Sequence, residues 1–232
     1  MPEVIGVDGC HGGWIAASRP ARGAVRWRRV ETLASLFAGP RPPRVVGVDI
    51  PIGLLPRGAR ACDVQARRLL GVRRSSVFPA PIRPMLAARS YAAVSHIRRR
   101  VEGKRVSIQA WAIMPKIAEV DRLLRTHPRR RAIVREVHPE VSFLFLNGGR
   151  PMGFAKRTRE GQAERRALLR TRYGQAIDAA LADRAALGCQ PDDVVDAFAV
   201  LWTATRIAAG AATSIPARPP RDAHGLRMEM LA

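Results

Sequence analysis

Short β-branched runs alternate with polar turns over the first fifty residues, and helical spacing takes over after them. Val4 to Asp8 reads as a strand, Gly9 to Gly13 as a turn and Trp14 to Ser18 as a second strand. Arg19 to Gly23 turns the chain again, and Ala24 to Val30 alternates as a third strand. Thr32 to Ala38 has the spacing of a short helix, with Leu33, Leu36 and Phe37 inward, and Gly39-Pro40 stops it. Val45 to Asp49 is the fourth strand. A crossover through the helix lets strand four lie parallel to strand one.

Helical patterns dominate the middle, over Asp63 to Leu70, Tyr91 to Val101 and Ile108 to Leu124, with Pro115 expected to kink the last. A proline-stiffened basic loop, Arg73 to Pro84, separates the first two, and Thr126 to Arg131 is a basic turn. Ala132 to Val137 reads as a fifth strand. A basic loop spans Arg150 to Gly161, a helix Glu164 to Ala186 that Gly174 interrupts, and a last helix Asp192 to Ala209. The tail from Thr213 is proline-rich and expected to be extended. The pattern predicts an α/β fold: a mixed five-stranded sheet of β-meander, helix and parallel strands, with flanking helices. It is expected to be one domain over 1–232 with a helical insertion around 56–130.

Composition sharpens this picture. A hydrophobic share of 47% supports a packed core. Forty Lys+Arg against 19 Asp+Glu give a formal charge of +21, which attracts polyanions. Lysine occurs at Lys104, Lys116 and Lys156 alone; the other basic residues are arginine, whose planar fork suits phosphate. The three cysteines, Cys10, Cys62 and Cys189, form no disulfide or metal spacing. With no apolar leader, a cytoplasmic location is expected. Ala197 to Ala212 is too short to span a bilayer and holds Arg206, so no membrane partner is expected.

Two strands are near twins: Val4-Ile5-Gly6-Val7-Asp8 and Val45-Val46-Gly47-Val48-Asp49. In a parallel pair their acids would stand side by side at the C-terminal edge, where open α/β sheets carry their sites. Asp193 and Asp196 share a face at the start of the last helix, where a helix N-terminus favours ionised carboxylates; acids there also serve as caps. Glu136, near the end of strand five, is a fifth candidate. His138 reads as a ligand, a general base or an ordinary buried histidine. Converging carboxylates repel one another without a cation. Hard oxygen donors suit Mg²⁺ or Mn²⁺, and two ions roughly 3.5–4 Å apart could hydrolyse a phosphodiester. Asp8, Asp49, Glu136, Asp193 and Asp196 are therefore the candidate metal ligands and catalytic groups. Arg74, Arg83, Lys116, Lys156 and Arg157 are candidate nucleic-acid contacts, or a solvated basic face.

Asp at the ends of strands one and four with acids on a final helix resembles the RNase H-like fold, and the helix pair is similar to its Holliday-junction-resolvase branch. Gly6-Val7-Asp8-Gly9-Cys10 with Gly13-Trp14, Asp49-Ile50-Pro51-Ile52-Gly53-Leu54, Ser75-Ser76-Val77-Phe78-Pro79, Glu136-Val137-His138-Pro139-Glu140, and Asp192-Asp193 with Asp196-Ala197 resemble domain-of-unknown-function family 429. That resemblance implies a predicted nuclease of RNase H-like fold; the acidic set within a basic chain points to DNA or RNA as what it cleaves. Resolvase-like enzymes are often dimers, which leaves a homodimer open. The alternatives are an ATP-using phosphotransferase of actin-like fold and a non-catalytic nucleic-acid-binding protein.

Overall fold

The computed structural model describes residues 3–20 and 22–232. The apolar runs at the start form β1 (Val4–Cys10) and β2 (Gly13–Arg19), an antiparallel hairpin in which Cys10 faces Gly13 across a two-residue turn. Gly12 takes φ 65° in that turn, a conformation that suits a residue without Cβ. β3 (Arg26–Val30) adds to the edge of β2, two residues shorter at its start than the pattern implies. The segment expected as a helix at 32–38 is a tight 3-10 turn, Leu33–Phe37, and it returns the chain to β4 (Val45–Val48).

β4 pairs parallel to β1 and β5 (Val134–Glu136) parallel to β4. The sheet order is β3-β2-β1-β4-β5, a mixed five-stranded sheet as the alternation implies. Between β4 and β5 lie α1 (Ala61–Leu70), α2 (Tyr91–Glu102) and α3 (Ile108–Thr126). Ser90 and Ser107 cap α2 and α3 by accepting from Ala93 N and Ala110 N. α3 runs as one helix through Pro115. After β5 come α4 (Pro139–Leu146), α5 (Arg159–Tyr173), α6 (Ala176–Asp183) and α7 (Pro191–Ala208). Gly174, at φ 57°, separates α5 from α6 as the sequence suggests. The tail is less plain than an extended chain: β6 (Ser214–Ile215) and β7 (Met230–Leu231) pair antiparallel, and Leu231 bridges Val137 beside the main sheet.

Both faces of the sheet are covered. Ile5, Val7, Val46, Val48 and Val134 point to one core, with Ile117, Val120 and Leu124 of α3 against them. The other face carries α7, whose Val194, Ala197, Phe198 and Leu201 pack with Ile15 and Ala17. Gly6 and Gly47 let α7 lie close. A Cβ on Gly6 would stand 2.1 Å from Leu201 N, and one on Gly47 would stand 2.9 Å from Val200 Cγ1. The strand glycines therefore set the depth at which the middle of α7 approaches β1 and β4.

Candidate active site

Register decides which acids meet. β1 and β4 run level from Val4–Val45 to Val7–Val48, so the next residues, Asp8 inside β1 and Asp49 just past the end of β4, come side by side where the parallel ladder stops; β1 itself runs on to Cys10 rather than ending at Asp8 as the sequence pattern implies. Side chains alternate between faces. Gly6 and Gly47 face α7, and Asp8 and Asp49, two residues on, face it as well. Asp196, in the second turn of α7, is buried there at 4% exposure. The three acids line one cleft of about 520 Å³, together with Lys156, Arg157, Lys116 and Phe78.

The electrostatics of the cleft are those of crowded carboxylates. Burial, then Asp49, Asp196 and Asp193, raise the Asp8 pKa well above the usual carboxylate range. Burial and then Asp196 push Asp49 up to about 7. Lys156 opposes both shifts. Its Nζ donates to Asp196 Oδ2 at 2.9 Å and stands 3.8 Å from Asp192 Oδ2. The Lys156 pKa rises in turn, chiefly through Asp196. Cations are thus favoured at the cleft floor, and the donors there are hard oxygens of the kind that magnesium and manganese take.

The model of a family of proteins of unknown function, DUF429, matches residues 6–221. The chain belongs to DUF429. No curated protein and no solved structure matches it. The matched span of this DUF429 protein includes all three cleft acids and Lys156.

Two of the five candidate acids have other partners. Glu136 pairs with Val48, not with Asp49, and so lies one residue out of step with the cleft acids. One residue in a strand is a change of face. Its carboxylate borders the cleft but is held by Arg60, with Nη1 at 2.8 Å from Oε2 and Nη2 at 2.7 Å from Oε1, and accepts from Ile52 N at 2.6 Å. Arg60 also binds Asp63, with Nη2 2.5 Å from Oδ1. Among the described residues, Cys62, Asp63 and Glu136 are the acids and thiol whose ligand atoms lie within 4.8 Å of one another. The Arg60 guanidinium already sits in that cluster, shared between Asp63 and Glu136, and burial first of all pushes the Cys62 thiol up. Asp8, Asp49 and Asp196 stand more widely, around an ammonium. Asp193 is the α7 capping residue: its Oδ2 accepts from Gln190 N at 2.8 Å. It remains near enough to raise Asp8.

The basic candidates divide in the same way. Lys156 and Lys116 are at the cleft, and Arg157 is at its exposed rim. Lys116 Nζ donates to Gly13 O and sits 4.4 Å over the Trp14 ring. Arg83 is a structural tie, donating to Asp121 at 2.9 Å and to Asp222. Arg74 is exposed beyond the lining, where its neighbour Arg73 takes the place in the wall. His138 is neither a free base nor an isolated core group. Burial lowers its pKa, Nδ1 accepts from Glu140 N at 3.2 Å, and Nε2 lies 3.2 Å from Ser76 O. A neutral ring with its proton on Nε2 satisfies both contacts and fastens the 71–77 loop to α4.

Sequence reading misses the arginines that hold the site. Arg60 carries one signal, an Asp three residues later in the first turn of the helix that it precedes. Arg165 carries less: it is 2% exposed in an otherwise charged helix and reaches Glu140 at 2.7 and 2.9 Å. Nothing local reveals that long-range partner.

Proposed function

We propose that this DUF429 protein is a metal-dependent nuclease, hydrolysing a phosphodiester of DNA or RNA in the cleft of Asp8, Asp49 and Asp196. The observation that carries the reading is the meeting of these three acids, from β1, the end of β4 and α7, in a cleft walled by basic side chains. Magnesium or manganese bound there would supply Lewis acidity toward the phosphate. The arrangement of β-meander, crossover and parallel strands agrees with an RNase H-like fold.

The chain's own groups have distinct parts in this reading. Asp8, Asp49 and Asp196 hold the cation, and their mutual repulsion is the reason it binds. Lys116 and Arg157 attract the phosphate backbone at the rim. Glu136 and Arg60 brace the ends of β4 and β5 instead of joining the ligands. The neutral His138 ring steadies the loop that carries Ser75 and Ser76, both in the cleft wall.

The test is cleavage of end-labelled single-stranded and duplex DNA and RNA with Mn²⁺, comparing the unaltered chain with Asp8→Asn. Cleavage that EDTA stops, and that Asp8→Asn lowers by on the order of 100-fold, is expected. No cleavage of any polymer, or equal cleavage by the variant, refutes the reading. Salt-sensitive binding that ignores Mn²⁺ and produces no cleavage would instead assign a binding protein.

A further inference from the structure

Lys156 is held at the cleft floor by a built loop. Arg73 donates to Met152 O at 2.8 Å and to Gly153 O, which ties residues 152–153 to the 71–77 loop. Glu164 accepts from Gly153 N at 2.8 Å and from Phe154 N at 3.2 Å. Arg165 donates to Phe154 O at 3.2 Å while its other nitrogen is fixed on Glu140. Gly161 completes the seat, because a Cβ there would stand 1.9 Å from Ala155 O. These anchors lie on both sides of position 156 and deliver its ammonium to Asp196.

The charge at the floor is then countable. Asp8, Asp49 and Asp196 supply three negative charges, and Lys156 returns one positive charge. Glu136 is tied to Arg60, which it shares with Asp63, and Asp193 accepts from Gln190 N at the start of α7, so neither lies in contact with Lys156. Asp192 stands 3.8 Å off with its side chain 27% exposed, where solvent screens it. Among Asp8, Asp49, Asp196 and Lys156 themselves, two negative charges remain, which one divalent ion neutralises. A second ion would leave the floor strongly positive with the ammonium still beside it.

We propose that Lys156 takes the place of a second metal ion, so that the cleft holds one Mg²⁺ or Mn²⁺ beside the ammonium. This rests on the cation reading of the cleft and alters the two-ion scheme that five converging carboxylates would imply. In this arrangement Lys156 is the second positive charge facing the substrate phosphate, and it requires no dissociable ligand.

Isothermal titration of the full-length chain with Mn²⁺ alone tests it, with ion-to-ion coupling read by electron paramagnetic resonance. The unaltered chain and Lys156→Arg are expected to bind one ion without coupling. Lys156→Gln is expected to bind two coupled ions. Two ions in the unaltered chain, or one in Lys156→Gln, overturn the inference. Those results leave the cation site itself standing. If the unaltered chain binds no Mn²⁺, the cation reading fails and this inference goes with it. The unaltered chain alone can refute the count, so the test does not depend on the folding of a variant.

Discussion

Asp49 ends its strand between two other carboxylates and one ammonium, and its acidity reports that setting. Its folded pKa of about 7 lies above the roughly 3.9 of an unfolded aspartate. The folded chain therefore binds this proton more tightly than the unfolded chain. The stability it contributes is complete below the unfolded value and is lost as pH rises toward 7. Thermal melts in EDTA should show the metal-free protein losing stability between about pH 4 and 7, with a shallower decline in Asp49→Asn. An equal decline in both would mean that Asp49 is not crowded. Saturating Mn²⁺ should weaken or reverse the trend, since the ion binds the deprotonated form. Asp49 and Asp8 are legible in the sequence because their strands are twins and a level parallel register makes twins into neighbours. Glu136 is misplaced by the same logic. Its strand looks alike, but nothing in the sequence reveals that its register with β4 stops one residue short of Asp49.

α7 is the element on which the site depends, and small residues define its contact with the sheet. Ala197 O and Leu201 N lie 2.5 and 2.1 Å from where a Gly6 Cβ would be. Both are backbone atoms, so the helix itself would have to move. At Gly47 the nearest obstacle is Val200 Cγ1, a side-chain methyl that can shift. Gly6→Ala is therefore expected to cost about 3 kcal/mol or more and Gly47→Ala about 1 kcal/mol, read from urea unfolding. Equal small costs would show that α7 is not seated against β1 as described. Sequence periodicity reveals α7 itself, with Ala197, Val200 and Ala204 on one face. It also reveals the break at Gly174, where a glycine at positive φ leaves the helix nowhere to continue. It cannot reveal the β6–β7 pair, because two-residue strands carry no period to read. The 3-10 turn at Leu33–Phe37 buries the same Leu33 and Leu36 as the expected helix would, so apolar spacing alone cannot separate the two forms.

At the scale of the whole molecule, a formal charge of +21 surrounds a cleft whose floor is acidic. Part of the basic charge serves the fold. Arg60, Arg83, Arg135 and Arg165 are spent on buried or half-buried acids that lie far off in the chain. Each of those pairs cancels within the net figure, so the +21 comes from the basic residues that no acid matches. Among the described residues no helix is long and apolar enough to cross a membrane. The central claim is that Asp8, Asp49 and Asp196 form the cation site of this charged shell. Anomalous X-ray scattering from crystals soaked in Mn²⁺ tests it most directly. The account predicts one strong peak touching those three carboxylates and none beside Arg60. A peak at Cys62, Asp63 and Glu136, or no peak at the cleft floor, would contradict it.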